Sequence, residues 1–164
     1  MIGGIALLAH GYRRTTINID ALITEEGLAV FHSRIEPLGY ETAFEGARKT
    51  FLDTETGVRV KFLISGTYPG LGGPKPVRFP TPGNASLEYD GYRVITLAKL
   101  IELKLTSGGP GRLLDWADVQ ALIEAANVSR ELAAELHPSV HAKFDELWEL
   151  AQMPDFHNPR PHTS

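Results

Sequence analysis

Half of the residues from Ser65 to Asn84 are Gly or Pro. Proline lacks a backbone N–H and glycine costs a helix conformational entropy, so no regular helix passes through this stretch. The fold must be assembled from what lies on either side. The stretch itself reads as either an ordered functional loop or a mobile flap.

Before it, Ile5 to His10 reads as a short helix ending at Gly11. Ile17, Ile19, Ala21 and Ile23 then alternate with Asn18, Asp20 and Leu22, which is strand periodicity and puts Asn18 and Asp20 on one face. Thr24 followed by Glu25 and Glu26 marks a helix start, with acids at the positive end of the dipole. Leu28, Phe31, Ile35 and Leu38 supply its core stripe before Gly39. Thr50 to Leu52 and Arg59 to Ile64 read as strands joined by a turn from Asp53 to Gly57, with Val58, Val60, Phe62 and Ile64 sharing a face.

After it, short strands near Leu87–Tyr89 and Tyr92–Val94 give way to helices. Thr96 can cap a helix from Leu97 to Thr106, which Gly108-Gly109-Pro110 stops. Further helices are expected at Trp116–Ala126, Arg130–Leu136 and Val140–Ala151. Strands early and helices late define an α+β domain: a small mixed sheet of about four or five strands, flanking helices and a C-terminal helical cluster. Residues 1–151 form a single domain and 152–164 a flexible C-terminal tail.

Composition narrows the function. The chain has 164 residues and no Cys, which excludes disulfides, thiolate metal sites and Cys nucleophiles. Its net charge of −4 argues against a globally basic nucleic-acid binder. The apolar run Ile5–Ala9 is too short to span a membrane and lacks a preceding cationic segment, so a soluble, cytoplasmic protein with no membrane partner is expected. Met1-Ile2-Gly3-Gly4 begins abruptly, as though an upstream element were absent. The six histidines form no recognised ligand pattern, Gly70-Leu71-Gly72-Gly73-Pro74 lacks the ending of a P-loop, and no Gly-x-Ser-x-Gly elbow occurs.

Lys104 falls on the inward stripe of its helix with Leu100 and Ile101. Its ammonium either snorkels to solvent or points into a cleft at an anion such as phosphate. Asp115 shares the apolar side of the next helix with Val119, Leu122 and Ala126, and Asp118 borders it. Asp115 is expected to cap that helix, with Arg112 pairing with either acid; alternatively one of the acids faces the cleft with Lys104.

The order Gly3-Gly4, short helix, Arg14-Thr15-Thr16-Ile17-Asn18-Ile19-Asp20, helix and Val58-Arg59-Val60-Lys61-Phe62-Leu63 strand resembles the nucleotidyltransferase fold over most of the chain. Leu100-Ile101-Glu102-Leu103-Lys104-Leu105, Arg112 and Asp115-Trp116-Ala117-Asp118 resemble the Lys…Arg…Asp-x-x-Asp segment of the branch that holds abortive-infection-type toxins and many small bacterial proteins. The resemblance implies that two strand carboxylates and a third from a neighbouring strand hold Mg²⁺, while Gly3-Gly4 and Arg14-Thr15-Thr16 border the phosphates of a nucleoside triphosphate (NTP). In this chain the first carboxylate position is Asn18, the second is Asp20, and the third corresponds to Lys61. Asn is a weaker oxygen ligand and an ammonium accepts nothing. Metal binding is therefore expected at Asp20 alone, and weakly.

Three readings follow. The chain is a pseudoenzyme that binds a nucleotide or polyphosphate through Asn18, Lys61 and Arg112 without turnover. Alternatively it is an active nucleotidyltransferase in which Asp20 holds one metal while Lys104, Asp115 and Asp118 complete the catalytic set. As a third reading, the fold is an interaction module for a protein or RNA partner through Arg13, Arg14, Lys75 and Arg78.

Overall fold

The computed structural model describes residues 1–153, so the expected tail lies outside the described residues from 154 onward. The architecture is α+β, with a small mixed sheet and flanking helices. Helix α1 (Gly4–Ala9) precedes strand β1 (Asn18–Ile23) and helix α2 (Glu25–Val30). Strands β2 (Tyr40–Thr42), β3 (Thr50–Asp53) and β4 (Arg59–Ile64) follow, then a hairpin of β5 (Ser86–Tyr89) and β6 (Tyr92–Ile95). The helical part comprises α3 (Leu97–Ser107), α4 (Leu113–Ala125) and α5 (His141–Gln152). The main sheet has four strands in the order β1-β4-β3-β2, with β1 and β4 parallel and the other pairs antiparallel. β5 and β6 make a separate two-stranded sheet.

Local chemistry explains most boundaries. The Thr24 hydroxyl accepts the Gly27 amide at 3.0 Å and starts α2. Asp53 holds the β3–β4 turn by accepting the amides of Thr56 at 2.8 Å and Glu55 at 3.2 Å. Gly57 closes that turn at φ 70°, a backbone setting that suits glycine. Thr96 occupies the first flanking position of α3, but its side chain makes no capping bond.

The expected core stripe of α2 is only half realised. Leu28 and Phe31 are buried, but Ile35 is 41% and Leu38 80% exposed. The helix passes into a π-helical segment at Phe31–Ile35 and a 3-10 turn at Glu36–Leu38. The wider π turn slips the phase of the later apolar positions, and Pro37 cannot continue an α-helix. Arg130–Glu135 is likewise a 3-10 helix, not an α-helix. α4 begins at Leu113, three residues before the expected start.

The sheet separates two apolar cores. Phe31, Phe51, Phe62 and Ile64 pack on one face beneath α2, with Phe31 and Phe62 ring centroids 4.6 Å apart. The larger core gathers α1, β6 and the three long helices around Leu7, Val94, Ile101, Leu122 and Phe144, and Leu22 and Leu63 reach it from the other face of the sheet. Among the described residues no helix is long and apolar enough to cross a membrane.

Candidate functional site

A cleft of about 610 Å³ opens where β1, β4, α3 and the start of α4 converge, bordered by the Gly/Pro-rich segment. Its size is that of a small-molecule site. Gly3, Arg14, Asp20, Lys61, Lys104, Arg112, Asp115 and Asp118 line it. Gly4, Thr15, Thr16 and Asn18 are not among the lining residues. Instead, a Cβ on Gly4 would lie 2.6 Å from the Thr16 Cβ, and the Thr16 hydroxyl donates to the Asn18 carbonyl at 3.1 Å. These residues fix the approach to β1.

On the strand side, register sets the chemistry. Asp20 and Lys61 are direct neighbours across the parallel β1–β4 pair. The Ile2 amide donates to the Asp20 carbonyl at 2.9 Å, bringing the first residues against β1. The carboxylate then leans on Gly3, where a Cβ would lie 2.2 Å from Asp20 Oδ2. Gly3 also holds φ 68°, so this position requires glycine for both space and conformation. Burial pushes the Asp20 carboxyl above its ordinary range, outweighing the opposing pull of Lys61, Lys104 and Arg14. Lys61 is exposed in the cleft, and neither it nor Lys49 forms an ion pair among the described residues.

On the helix side, charges are paired. The buried Lys104 ammonium donates to Asp118 Oδ2 at 2.6 Å and to Asp115 Oδ1 at 3.2 Å. Asp115 Oδ2 also accepts the Ser107 hydroxyl at 2.8 Å and Arg112 Nε at 2.7 Å. Burial raises the Asp115 carboxyl, but Lys104, the Ser107 and Arg112 hydrogen bonds and the Arg112 charge together bring it below the usual carboxylate range. Asp115 is thus no helix cap: it lies inside α4, and three side chains from outside the helix ladder claim its oxygens. Nor does Lys104 snorkel to solvent, because two acids on the next helix supply closer partners than water. Asp118 is only 1% exposed, and its Oδ1 faces Arg14 Nε at 3.6 Å. Neither of those two atoms has a hydrogen-bond partner.

The Gly/Pro-rich segment is anchored. The Gly66 amide donates to the Phe79 carbonyl at 2.8 Å and the Phe79 amide to the Thr67 carbonyl at 2.9 Å. Lys75 Nζ donates to the Thr106 carbonyl at 3.0 Å near the end of α3, and the Arg78 guanidinium sits 4.3 Å from the Tyr68 ring centroid. Tyr68, Gly70 and Leu71 consequently border the cleft as an ordered wall.

The donor set does not fit a two-metal cage. Asp20 is the one strand carboxylate among the described residues that line the cleft, its charged form is disfavoured by burial, and an ammonium occupies the adjacent strand position. The oxygens of Asp115 and Asp118 that face Lys104 are already engaged. Among the described residues no three His, Asp or Glu side chains group to hold an ion. No protein-family model matches the chain, and no curated protein matches it.

Lys49, Ser107, Leu71 and Leu114 also line the cleft and were not reached from the sequence. Ser107 carries a usable signal, since it lies one helical turn beyond Lys104 on the same stripe. Lys49 precedes the strand and carries none.

Proposed function

We propose that this chain is a nucleotidyltransferase-like protein with a degenerate site, binding a nucleotide or polyphosphate in the cleft between the Asp20 strand and the Lys104 helix without transferring it. The observation that carries the reading is the strand register that sets Lys61 beside Asp20, which puts an ammonium where the resembled family would supply a metal-binding carboxylate. The charge balance of the cleft supports it. Five cationic side chains (Arg14, Lys49, Lys61, Lys104 and Arg112) face three carboxylates (Asp20, Asp115 and Asp118), 5 − 3 = +2, in a chain whose net charge is −4. Arg14, Lys104 and Arg112 are paired with the acids of α4. Lys49 and Lys61, both exposed and without an ion pair among the described residues, are left to meet an anion.

Calorimetry with each NTP and with tripolyphosphate, with and without Mg²⁺ or Mn²⁺, tests this. The expected result is binding that needs no divalent ion, falls with added salt and is lost in Lys61→Glu. Binding only with metal, together with transfer of labelled nucleotide to a hydroxyl, would replace this reading with the active transferase. Absence of binding to every NTP and to tripolyphosphate would leave the interaction module.

A further inference from the structure

Half of one face of the main sheet is left open. Register sets Leu22 beside Leu63, and both reach the larger core. The rows before them do not. Two residues back on the same face, Thr50, Lys61 and Asp20 stand side by side on β3, β4 and β1. Two further back, Glu41, Leu52, Arg59 and Asn18 run across all four strands. Leu52 belongs to neither core, and Glu41, Arg59 and Lys61 are exposed.

Charge decides what this face can meet. Arg59 and Lys61 project from the same side of β4 about 6.6 Å apart, and neither forms an ion pair among the described residues. Lys61 lines the cleft, whereas Arg59 lies outside it. Together they carry positive charge out of the cleft and onto the open face. Lys49 joins them at the cleft, its carbonyl accepting the Phe62 amide of β4 at 2.7 Å. Glu41, the acid of the outer row, is two strands from Arg59, about 10 Å away. Asp20, in the inner row, has its charged form disfavoured by burial.

We propose that the open half-face extends the cleft into a track for a single-stranded polynucleotide, with one phosphate at Lys49 and Lys61 and a neighbouring phosphate at Arg59. This rests on the reading of the cleft as a nucleotide or polyphosphate site, and it names the ligand of that site as a strand. A free nucleotide held inside the cleft gives Arg59 nothing to bind, but a strand brings it the next phosphate. The side chains beside the cations suit the rest of each nucleotide: Asn18, opposite Arg59, offers both a donor and an acceptor, and a guanidinium plane stacks on unpaired bases. An acidic peptide would meet Arg59 but carries no phosphate for the cleft.

The test is fluorescence anisotropy of the full chain with a labelled oligouridylate of about 12 nucleotides, with polyglutamate as competitor and with tripolyphosphate and each NTP measured by calorimetry, all repeated on Arg59→Gln. Arg59 is exposed and outside the cleft lining, and unchanged thermal unfolding verifies that the variant is folded. We expect the oligouridylate to bind at least about tenfold more tightly than tripolyphosphate or UTP, with an affinity that falls steeply as salt rises. Arg59→Gln should lose about tenfold for the oligouridylate, flatten its salt slope by about 0.7, and bind tripolyphosphate and the NTPs as before. Oligouridylate binding no tighter than UTP, an Arg59→Gln variant that binds it unaltered, or displacement by polyglutamate as effective as by unlabelled oligouridylate would overturn this inference while leaving the cleft reading intact. Failure of tripolyphosphate, every NTP and the oligouridylate to bind would overturn the two together.

Discussion

The two walls of the cleft use the same kinds of side chain in opposite ways. On the helix wall, Lys104 donates hydrogen bonds to Asp115 and Asp118 while Ser107 and Arg112 complete the Asp115 shell. On the strand wall, Lys61 stands beside Asp20 but forms no ion pair, and Asp20 carries a burial penalty that its cationic neighbours only partly offset. A buried network in which Lys104 and both oxygens of Asp115 are engaged fixes how two helices meet. An unsatisfied, partly open set is left to interact with something else. The contrast teaches that a lysine on an inward stripe has a structural role when acids on the next element reach it, and is available to a ligand when they do not.

The comparison can be broken most sharply at Lys104. Lys104→Ala leaves two buried carboxylates without their shared cation and should cost about 3–5 kcal/mol in urea-induced unfolding. Lys61→Ala should change unfolding by less than about 0.5 kcal/mol, as expected for an exposed group, while abolishing most nucleotide binding. If the two variants lost similar stability, the division between walls would fail. Gly3→Ala should cost about 1–3 kcal/mol by forcing a side chain onto positive φ, and it must also displace the Asp20 carboxylate.

pH sharpens the same contrast. The depressed Asp115 carboxyl contributes stability at neutral pH that is lost as pH falls from about 4, its ordinary range, through its lower folded value. The raised Asp20 carboxyl acts the other way: the folded state holds that proton more tightly, so stability falls as pH rises through its folded value. Asp20→Asn should therefore stabilise the protein modestly at pH 7, with the advantage fading below about pH 4. Thermal unfolding across pH 3–8 reads both effects, and a destabilised Asp20→Asn at neutral pH would contradict the burial argument. The smallest expected change is in metal affinity. Asn18→Asp with Lys61→Asp should raise weak Mg²⁺ binding, measured by titration, although Asn18 lies outside the cleft lining.

Strand periodicity, the Thr24 cap and the Asp53–Gly57 turn were legible because each depends on neighbours in sequence. The three-residue β2 was not, since Tyr40–Thr42 is too short to show an alternation. The exposure of Ile35 and Leu38 follows from a π turn, which leaves no mark in an apolar stripe counted at 3.6 residues per turn. At the site, the helical stripe singled out Lys104, Asp115 and Asp118. Their mutual pairing depends on how Gly108-Gly109-Pro110 turns α3 into α4, and that geometry is tertiary. Gly108 itself is one key to the turn, because a Cβ there would lie 2.1 Å from the Trp116 indole nitrogen.

The lysine strap from the Gly/Pro-rich segment to the Thr106 carbonyl has a thermodynamic consequence. Because that wall acquires its shape when the chain folds, an incoming molecule need not immobilise it, and association forfeits little backbone freedom. Heat-capacity changes on complex formation should accordingly track the surface of the guest and its immediate contacts, without the larger signature of a segment that folds around it.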